Sequence, residues 1–572
     1  RADYWINDDF TLGATVLKLS ERPFTPKVNY GDTPISNTMV GVDMNYFKET
    51  PGLTRFIDKL PGISTKEPSS VTFNAEVAAL LPGHANAIGN DGNAYIDDFD
   101  GSTPEYDIRF PYTAWMLAST PRYVLYNNRI ELFPEASRTN ELEYGFNRAK
   151  LSWYQLDFVL QNETNGINTN VNFNANSYYT RTFSEREIFN TDTFNPQQVS
   201  RTFDVAFYPD ERGPYNFDAA GVPGVSAGLE EDGRLKEPDT RWGGIMRNSP
   251  FKDFEQANVE FVEFWILDPF IDDKTNQGDM YLHLGNISED VLKDSKQFYE
   301  NSLPTADDFP QVDETEWGEV SIVRPINFAF ANEQEDREAQ DLGFDGLTDT
   351  KEREKFSTYL AEVNSVVNPT TFELLQNDPA GDNYLHFRDP IYNDIQSDVA
   401  PFGNGGTLLQ RYKNFNNPQG NSPVQDFAQQ GQNFTTSATN FPEMEDYNQD
   451  KSLNDAESFF EYKVPLRPNM GVDDIGNGFL ADFKDIPVES FATGQDTTVR
   501  FYYFQIPIDN FTNKAGSVNF RNIEGIRLFM TGFEREIVTR FVRFDIVRNN
   551  WRKYDRVIRE PGEYSPSEPD NV

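Results

Sequence analysis

The first 80 residues restrict the fold more than any other stretch, because their apolar residues recur at every second position. Phe10, Leu12, Ala14 and Val16 alternate with Thr11, Gly13 and Thr15, and Val40, Val42, Met44 and Tyr46 alternate with Gly41, Asp43 and Asn45. Val71, Phe73, Ala75 and Val77 do the same around Thr72, Asn74 and Glu76. Successive side chains of a strand point to opposite faces, so each run reads as a strand with one greasy and one polar side. In a soluble sandwich the greasy side is core; in an outer-membrane barrel it meets lipid, and alternation is common to both.

Strand patterns return later, at 259–267, 278–285, 499–508, 525–530 and 538–547. Trp265, inside the densest of these runs, reads as core. A helix start is expected at Ser288-Glu289-Asp290, and Phe356, Tyr359, Leu360 and Val363 have the spacing of a short amphipathic helix. Residues 395–440, rich in Asn, Gln and Gly, read as long loops. No fixed-period repeat is present, which argues against a solenoid or propeller. The 572 residues are ample for several domains. The opening Arg1-Ala2-Asp3-Tyr4 has no initiator Met or signal peptide and reads as part of a longer polypeptide or as a processed chain.

Composition removes whole classes of function. With 92 Asp+Glu against 50 Lys+Arg, the net charge of −42 opposes nucleic acid, whose binding needs neutralised phosphates. The absence of Cys removes disulfides, Fe–S clusters and thiolate nucleophiles, and only three His are available for metal or base chemistry. No apolar run is long enough for a membrane helix, which leaves a barrel open. Aromatics at 14 % can bury enough surface to oppose disorder.

Among the motifs, Gly224-Val225-Ser226-Ala227-Gly228 has the form of a nucleophile elbow, but no strand feeds it and His is scarce, so it reads as a loop. The run 446–457 places oxygen side chains at Asp446, Asn448, Asp450 and Ser452 and a Glu at 457, the spacing of a calcium loop. Lys451 stands where such loops carry Gly; the alternative is a solvated acidic turn. A second candidate, 341–352, offers Asp341, Asp345, Asp349 and Glu352 around Gly346, with no acid at Gly343. Carboxylate pairs are too abundant to mark an acid–base site. The late cluster Arg535, Arg540, Arg543, Arg548, Arg552, Lys553, Arg556 and Arg559 reads as internal pairing or as a docking face for an acidic neighbour.

Nine short runs in order then carry a resemblance. They are Leu19-Ser20-Glu21-Arg22-Pro23, 31–38, Ile57-Asp58-Lys59-Leu60-Pro61 and Tyr95-Ile96-Asp97-Asp98-Phe99-Asp100-Gly101, then 284–290, Asp345-Gly346-Leu347-Thr348-Asp349, Asp446-Tyr447-Asn448, 526–533 and Arg540-Phe541-Val542-Arg543-Phe544. Together they resemble an interior segment of the SprA/Sov family, the giant outer-membrane translocon of the Bacteroidota type IX secretion system. That resemblance implies a mainly β chain: strands of a large outer-membrane barrel in 1–80, a jelly-roll-like β-sandwich insertion with long acidic loops and a few short helices in 81–560, and a polar tail at 561–572. It implies no catalysis and carries over no site residue; a structural Ca²⁺ is suggested by the two acidic loops alone. It also implies a place in the outer membrane with much of the segment in an extracellular cap. Implied partners are a PorV-like shuttle lipoprotein, a Plug protein and folded cargo with C-terminal signal domains, whereas dependence of gliding motility on the protein is a property of the organism. The alternative from the residues alone is a carbohydrate-binding or calcium-stiffened jelly-roll protein of the cell surface.

Overall fold

The alternating segments at the start of the chain pair into one open antiparallel sheet. The computed structural model describes residues 1–20, 36–62, 64, 67–81, 105–123, 132–157, 177–189, 199–305, 311–331, 336, 339–383, 387, 408–413, 442–489 and 496–548. It divides into two compact units, Arg1–Thr103 and Pro104–Val572.

In the first unit β1 (Ala2–Asn7), β2 (Phe10–Ser20), β3 (Ser36–Glu49) and β4 (Ser70–Leu81) follow one another in the order β1-β2-β3-β4. Register carries the sequence alternation across the sheet. Tyr4 opposes Leu12, Leu12 opposes Met44 and Met44 opposes Ala75; Ala14, Val42 and Val77 form the next row, and Val16, Val40 and Ala79 the one after. The other face carries Asp3, Gly13, Asp43 and Glu76 in one row, with Arg1 reaching Asp3 at 3.0 Å and Asp43 at 3.2 Å. The apolar face is uncovered within this unit: Val42 is 51 % exposed and Val77 72 %.

The second unit is a two-sheet sandwich. Its strands are β5 (Glu105–Asp107), β6 (Met116–Leu117), β7 (Ala149–Tyr154), β8 (Phe203–Arg212), β9 (Trp242–Asn248), β10 (Val259–Leu267) and β11 (Gly278–Asn286). After the hairpin β12 (Val312–Glu314) and β13 (Glu319–Ser321) come β14 (Ser458–Leu466), β15 (Leu480–Glu489), β16 (Asp496–Pro507), β17 (Asn513–Ala515), β18 (Gly525–Thr531) and β19 (Ile537–Arg548). One sheet runs β15-β16-β10-β19-β8-β7 with β5 beside β19, and the other runs β17-β14-β11-β18-β9-β6. Every named strand pair is antiparallel, and from β8 to β11 the chain changes sheet at each step. At Gly243 the facing sheets come so close that a Cβ would stand 2.9 Å from the Phe207 ring.

The core between the sheets is aromatic. Trp115 stacks on Phe203 at 5.7 Å, and Phe264 meets Phe504 at 5.1 Å and Phe541 at 5.6 Å. Burying a Phe contributes roughly 1.5–3 kcal/mol, so this cluster holds the sheets together. A second apolar cluster, with Tyr154, Phe183, Leu267, Tyr412 and Phe501, covers the outer face of the larger sheet. Trp265 belongs to that outer face, not to the core: it is half-buried, stacked on Tyr503 at 4.9 Å and edge-on to Phe189.

Among the described residues no helix is long and apolar enough to cross a membrane. The helix Ser357–Val366 buries Tyr359, Leu360 and Val363 as their spacing requires. No helix starts at Ser288-Glu289-Asp290. The Asp290 carboxylate instead accepts the N–H groups of Asp294 and Ser295, which fixes a loop. Within 395–440 a short helix, Leu408–Lys413, packs Leu408 and Tyr412 under the larger sheet. The remainder of that stretch, the run 95–101 and the cations beyond Arg548 lie outside the described residues.

Candidate functional site

Acidic residues two apart favour tight turns, because each carboxylate accepts the N–H two residues on. The segment 446–457 is built this way. Asp446 is fully buried; Oδ1 accepts from the Asp450 N–H at 2.9 Å, and Oδ2 accepts from the Lys451 N–H at 3.0 Å and the Tyr299 hydroxyl at 2.7 Å. Asn448 Oδ1 accepts from the Asp450 N–H, and Asp450 accepts both the N–H and the hydroxyl of Ser452. The Ser452 hydroxyl, first among the causes, holds the Asp450 carboxyl below its usual range. Lys451 adopts φ +63°, the left-handed conformation that Gly would take more easily at this turn. The structure thus gathers Asp446, Asn448, Asp450 and Ser452 into one nest of turns but sends Glu457 elsewhere. Its oxygens accept from Arg527 Nη1 at 2.8 Å and Nη2 at 3.0 Å.

That Arg527 pair belongs to a buried polar row on the smaller sheet, where Glu461, His283 and Arg527 are cross-strand neighbours on β14, β11 and β18. Arg527 Nη2 lies 2.9 Å from His283 Nδ1, and His283 Nε2 lies 3.2 Å from Glu461 Oε2, which also accepts from the Tyr123 hydroxyl. A guanidinium has no lone pair to accept with, so Nδ1 is the acceptor and the imidazole proton sits on Nε2 towards Glu461. All three residues are fully buried. The row therefore holds a neutral His between two charges and works as internal bracing.

The segment 341–352 arranges its acids differently. Asp345 and Glu352 meet Asp382, 30 residues beyond Glu352, with one oxygen of each within 4.8 Å of the others. Asp349 turns away and accepts from Asn383 Nδ2 at 2.7 Å, while Asp341 is half-buried outside the triplet. Burial, and next the Glu352 charge, push Asp345 well above the carboxylate range. Burial, followed by the Asp345 charge, does the same for Asp382, and burial pushes Glu352 up to about 8. Sequence reasoning missed Asp382. Its signal was Asp378-Pro379-Ala380-Gly381-Asp382, a tight turn with Gly381 at φ +73°.

A further buried triplet, Asp290, Asp294 and Glu445, was also missed. Peptide groups already occupy it: Glu445 accepts from the N–H groups of Val291 at 2.6 Å and Phe298 at 3.0 Å. Of the late arginines, Arg540 is buried against Asp204 at 3.0 Å, Arg535 pairs with Asp273 and Arg543 with Glu105. The internal-pairing alternative describes these three. Ser226 of the elbow-like run hydrogen-bonds back to the Val222 N–H inside a tight loop.

The described chain is therefore a mainly β protein of antiparallel sheets and few short helices. Residues 358–571 match the family SprA_N, described as a motility related/secretion protein, which supports an SprA-like family for the chain and suggests involvement in motility or secretion. No curated protein matches it.

Proposed function

We propose that the chain is a non-catalytic segment of a protein-conducting outer-membrane translocon of the type IX secretion system. In this reading β1–β4 are part of a large barrel wall, and the sandwich is an insertion or cap on the extracellular side. One observation carries the reading: the four-stranded sheet has an uncovered face made of Tyr4, Leu12, Ala14, Val16, Val40, Val42, Met44, Phe73, Val77 and Leu81 in continuous register. A soluble sheet this greasy on one side would be covered, whereas a barrel closes its hydrogen bonds and turns that side to lipid. On β4 the apolar row runs from Val71 to Leu81. At roughly 3.4 Å per residue and a tilt of about 45° it spans about 24 Å, close to the ≈ 25 Å apolar band of such barrels.

The sandwich fits the same reading. Its central strands run β16-β10-β19-β8 in one sheet and β14-β11-β18-β9 in the other, the wiring of a jelly roll. The acidic row Asp3, Asp43 and Glu76 would face the wet lumen, where like charge discourages nonspecific adhesion of cargo. A PorV-like shuttle, a Plug protein and cargo with C-terminal signal domains are the partners of this assembly. A glycan platform is the weaker reading, because the stacked pair Trp265–Tyr503 has Phe189 edge-on to it at 5.7 Å.

The test compares the two faces of one strand. Val77→Arg should hinder membrane assembly of the full chain by about 2–4 kcal/mol, the cost of Arg on a lipid face at mid-depth. Asn74→Arg, on the opposite face, should assemble nearly as wild type. Equal tolerance of the two, scored by membrane fractionation, would sink the barrel-wall reading.

A further inference from the structure

The triplet Asp345, Glu352 and Asp382 joins two turns far apart in sequence, and its oxygens are only partly satisfied. Asp345 Oδ1 accepts from the Leu347 N–H at 2.9 Å and Glu352 Oε2 accepts from the Ala380 N–H at 2.8 Å. Asp345 Oδ2 is buried with no hydrogen-bond partner, and Asp382 Oδ2 finds none either, although the Tyr215 hydroxyl bonds to that carboxyl group. Asp345 is 1 % exposed and Asp382 5 %, so solvent does not supply one. A buried carboxylate oxygen without a donor destabilises the fold, and two beside each other repel. Elsewhere in this chain the same problem is solved by peptide N–H groups, as at Glu445, or by Arg, as at Asp204.

The geometry points to a divalent cation site, filled by Ca²⁺, that is formed by Asp345, Glu352 and Asp382 and clamps the 341–352 turn to the 378–382 turn. Oxygens sharing a Ca²⁺ at 2.3–2.6 Å lie at most about 5 Å apart, and the three here lie within 4.8 Å. Hard oxygen ligands and no nitrogen or sulfur suit Ca²⁺ or Mg²⁺ over Zn²⁺. Mg²⁺ keeps its waters and is held by one or two carboxylates, so three buried ones favour Ca²⁺. The two turns are already shaped without strain on side-chain residues: Gly343, Gly346 and Gly381 take φ +78°, +64° and +73°. The donor set differs from the linear 341–352 pattern, since Asp382 takes the part given there to Asp341 and Asp349. The inference stands apart from the translocon reading and survives its failure.

Terbium replaces Ca²⁺ at oxygen sites and emits when a nearby aromatic ring absorbs; the Tyr215 hydroxyl would lie 2.8 Å from a Cβ at Gly343, two residues from Asp345. The full chain, titrated with Tb³⁺ near neutral pH, should show saturable emission that Ca²⁺ displaces. Asp345→Asn and Asp382→Asn should each weaken binding at least 10-fold, the lower bound for losing even an outer support of a metal site. Both variants relieve repulsion among buried acids, so they should fold in chelator with a melting temperature no lower than that of wild type. Asp450→Asn, in the 446–457 turn, should leave emission unchanged. Absence of displaceable emission, or emission that survives both neutralising variants at full strength, would overturn the proposal; the latter result would move the ion to another site.

Discussion

Glu457 distinguishes a structural carboxylate from a metal ligand, and its removal has a calculable consequence. The side chain is 4 % exposed and its partner Arg527 is 0 % exposed, with a contact of 2.8 Å. At that distance and an effective dielectric of about 20, the attraction is about 6 kcal/mol before desolvation is counted. Glu457→Ala removes it and both charge-assisted hydrogen bonds. The guanidinium is left with His283 Nδ1 at 2.9 Å and Ser119 at 3.4 Å, both neutral. Stranding one member of a buried pair typically costs 3–5 kcal/mol. In urea, with a slope near 3 kcal/mol/M, the midpoint should fall by roughly 1 M or more. The buried Trp115, Trp153, Trp242 and Trp317 report the transition by fluorescence. Glu457→Ala combined with Arg527→Met should recover at least about 2 kcal/mol, because the pair is coupled. Both results should be the same in Ca²⁺ and in chelator. A loss under about 1 kcal/mol, or one seen only when Ca²⁺ is present, would refute the bracing role and return Glu457 to the calcium loop.

Three smaller effects should accompany it. Glu135 is fully buried with neither carboxylate oxygen hydrogen-bonded, and burial pushes it up from 4.5 to about 7. The folded state therefore holds a proton that the unfolded chain releases, so stability falls as pH rises from about 4.5 to 7; Glu135→Gln should flatten this slope and add up to about 3 kcal/mol at pH 8 in pH-resolved melts. Lys451→Gly should stabilise by about 1 kcal/mol in urea melts by relieving the positive φ. Gly318→Ala, whose Cβ would fall 1.9 Å from the Asp345 carbonyl, should cost about 1–3 kcal/mol and loosen the neighbouring turn, read as faster amide exchange at Glu319.

Period-two alternation located β2, β3 and β4, and dense apolar runs located β10, β11, β16, β18 and β19 within a few residues, because strand formation here follows local patterning. Trp265 shows the limit of that logic. A strand in a sheet covered on both sides has two apolar faces, and composition cannot say which one meets the other sheet. The helix expected at Ser288 failed for a related reason: Asp290 can cap a helix or fold back on its own loop, and the partners that decide lie in the 445–457 segment. For the site, spacing singled out 341–352 but not Asp382, and 446–457 but not the removal of Glu457 by Arg527. Both depend on contacts between residues 30 or more apart in the chain, which only the assembled sandwich specifies.

A chain with 92 acids and 50 Lys+Arg has few cations to spend on its interior. Each buried carboxylate must then find Arg or Lys, a peptide N–H, a proton or a foreign cation. Asp204, Asp218 and Glu457 take the first course, against Arg540, Arg241 and Arg527. Asp290 and Asp446 take the second through the backbone of their own turns, and Glu445 through the distant peptides of Val291 and Phe298. At Glu135 burial outweighs the charges of Arg241 and Arg148, and neither carboxylate oxygen is hydrogen-bonded, so it suits the third. Asp345 and Asp382 stand together, and one shared cation offsets two charges where one proton offsets only one. Chelator sensitivity should therefore concentrate at that triplet and vanish in Asp345→Asn, while the pH slope assigned to Glu135 persists in the same variant. If the two sensitivities disappear together, both arise from protonation of one coupled cluster, and the separation of proton from metal drawn here is wrong.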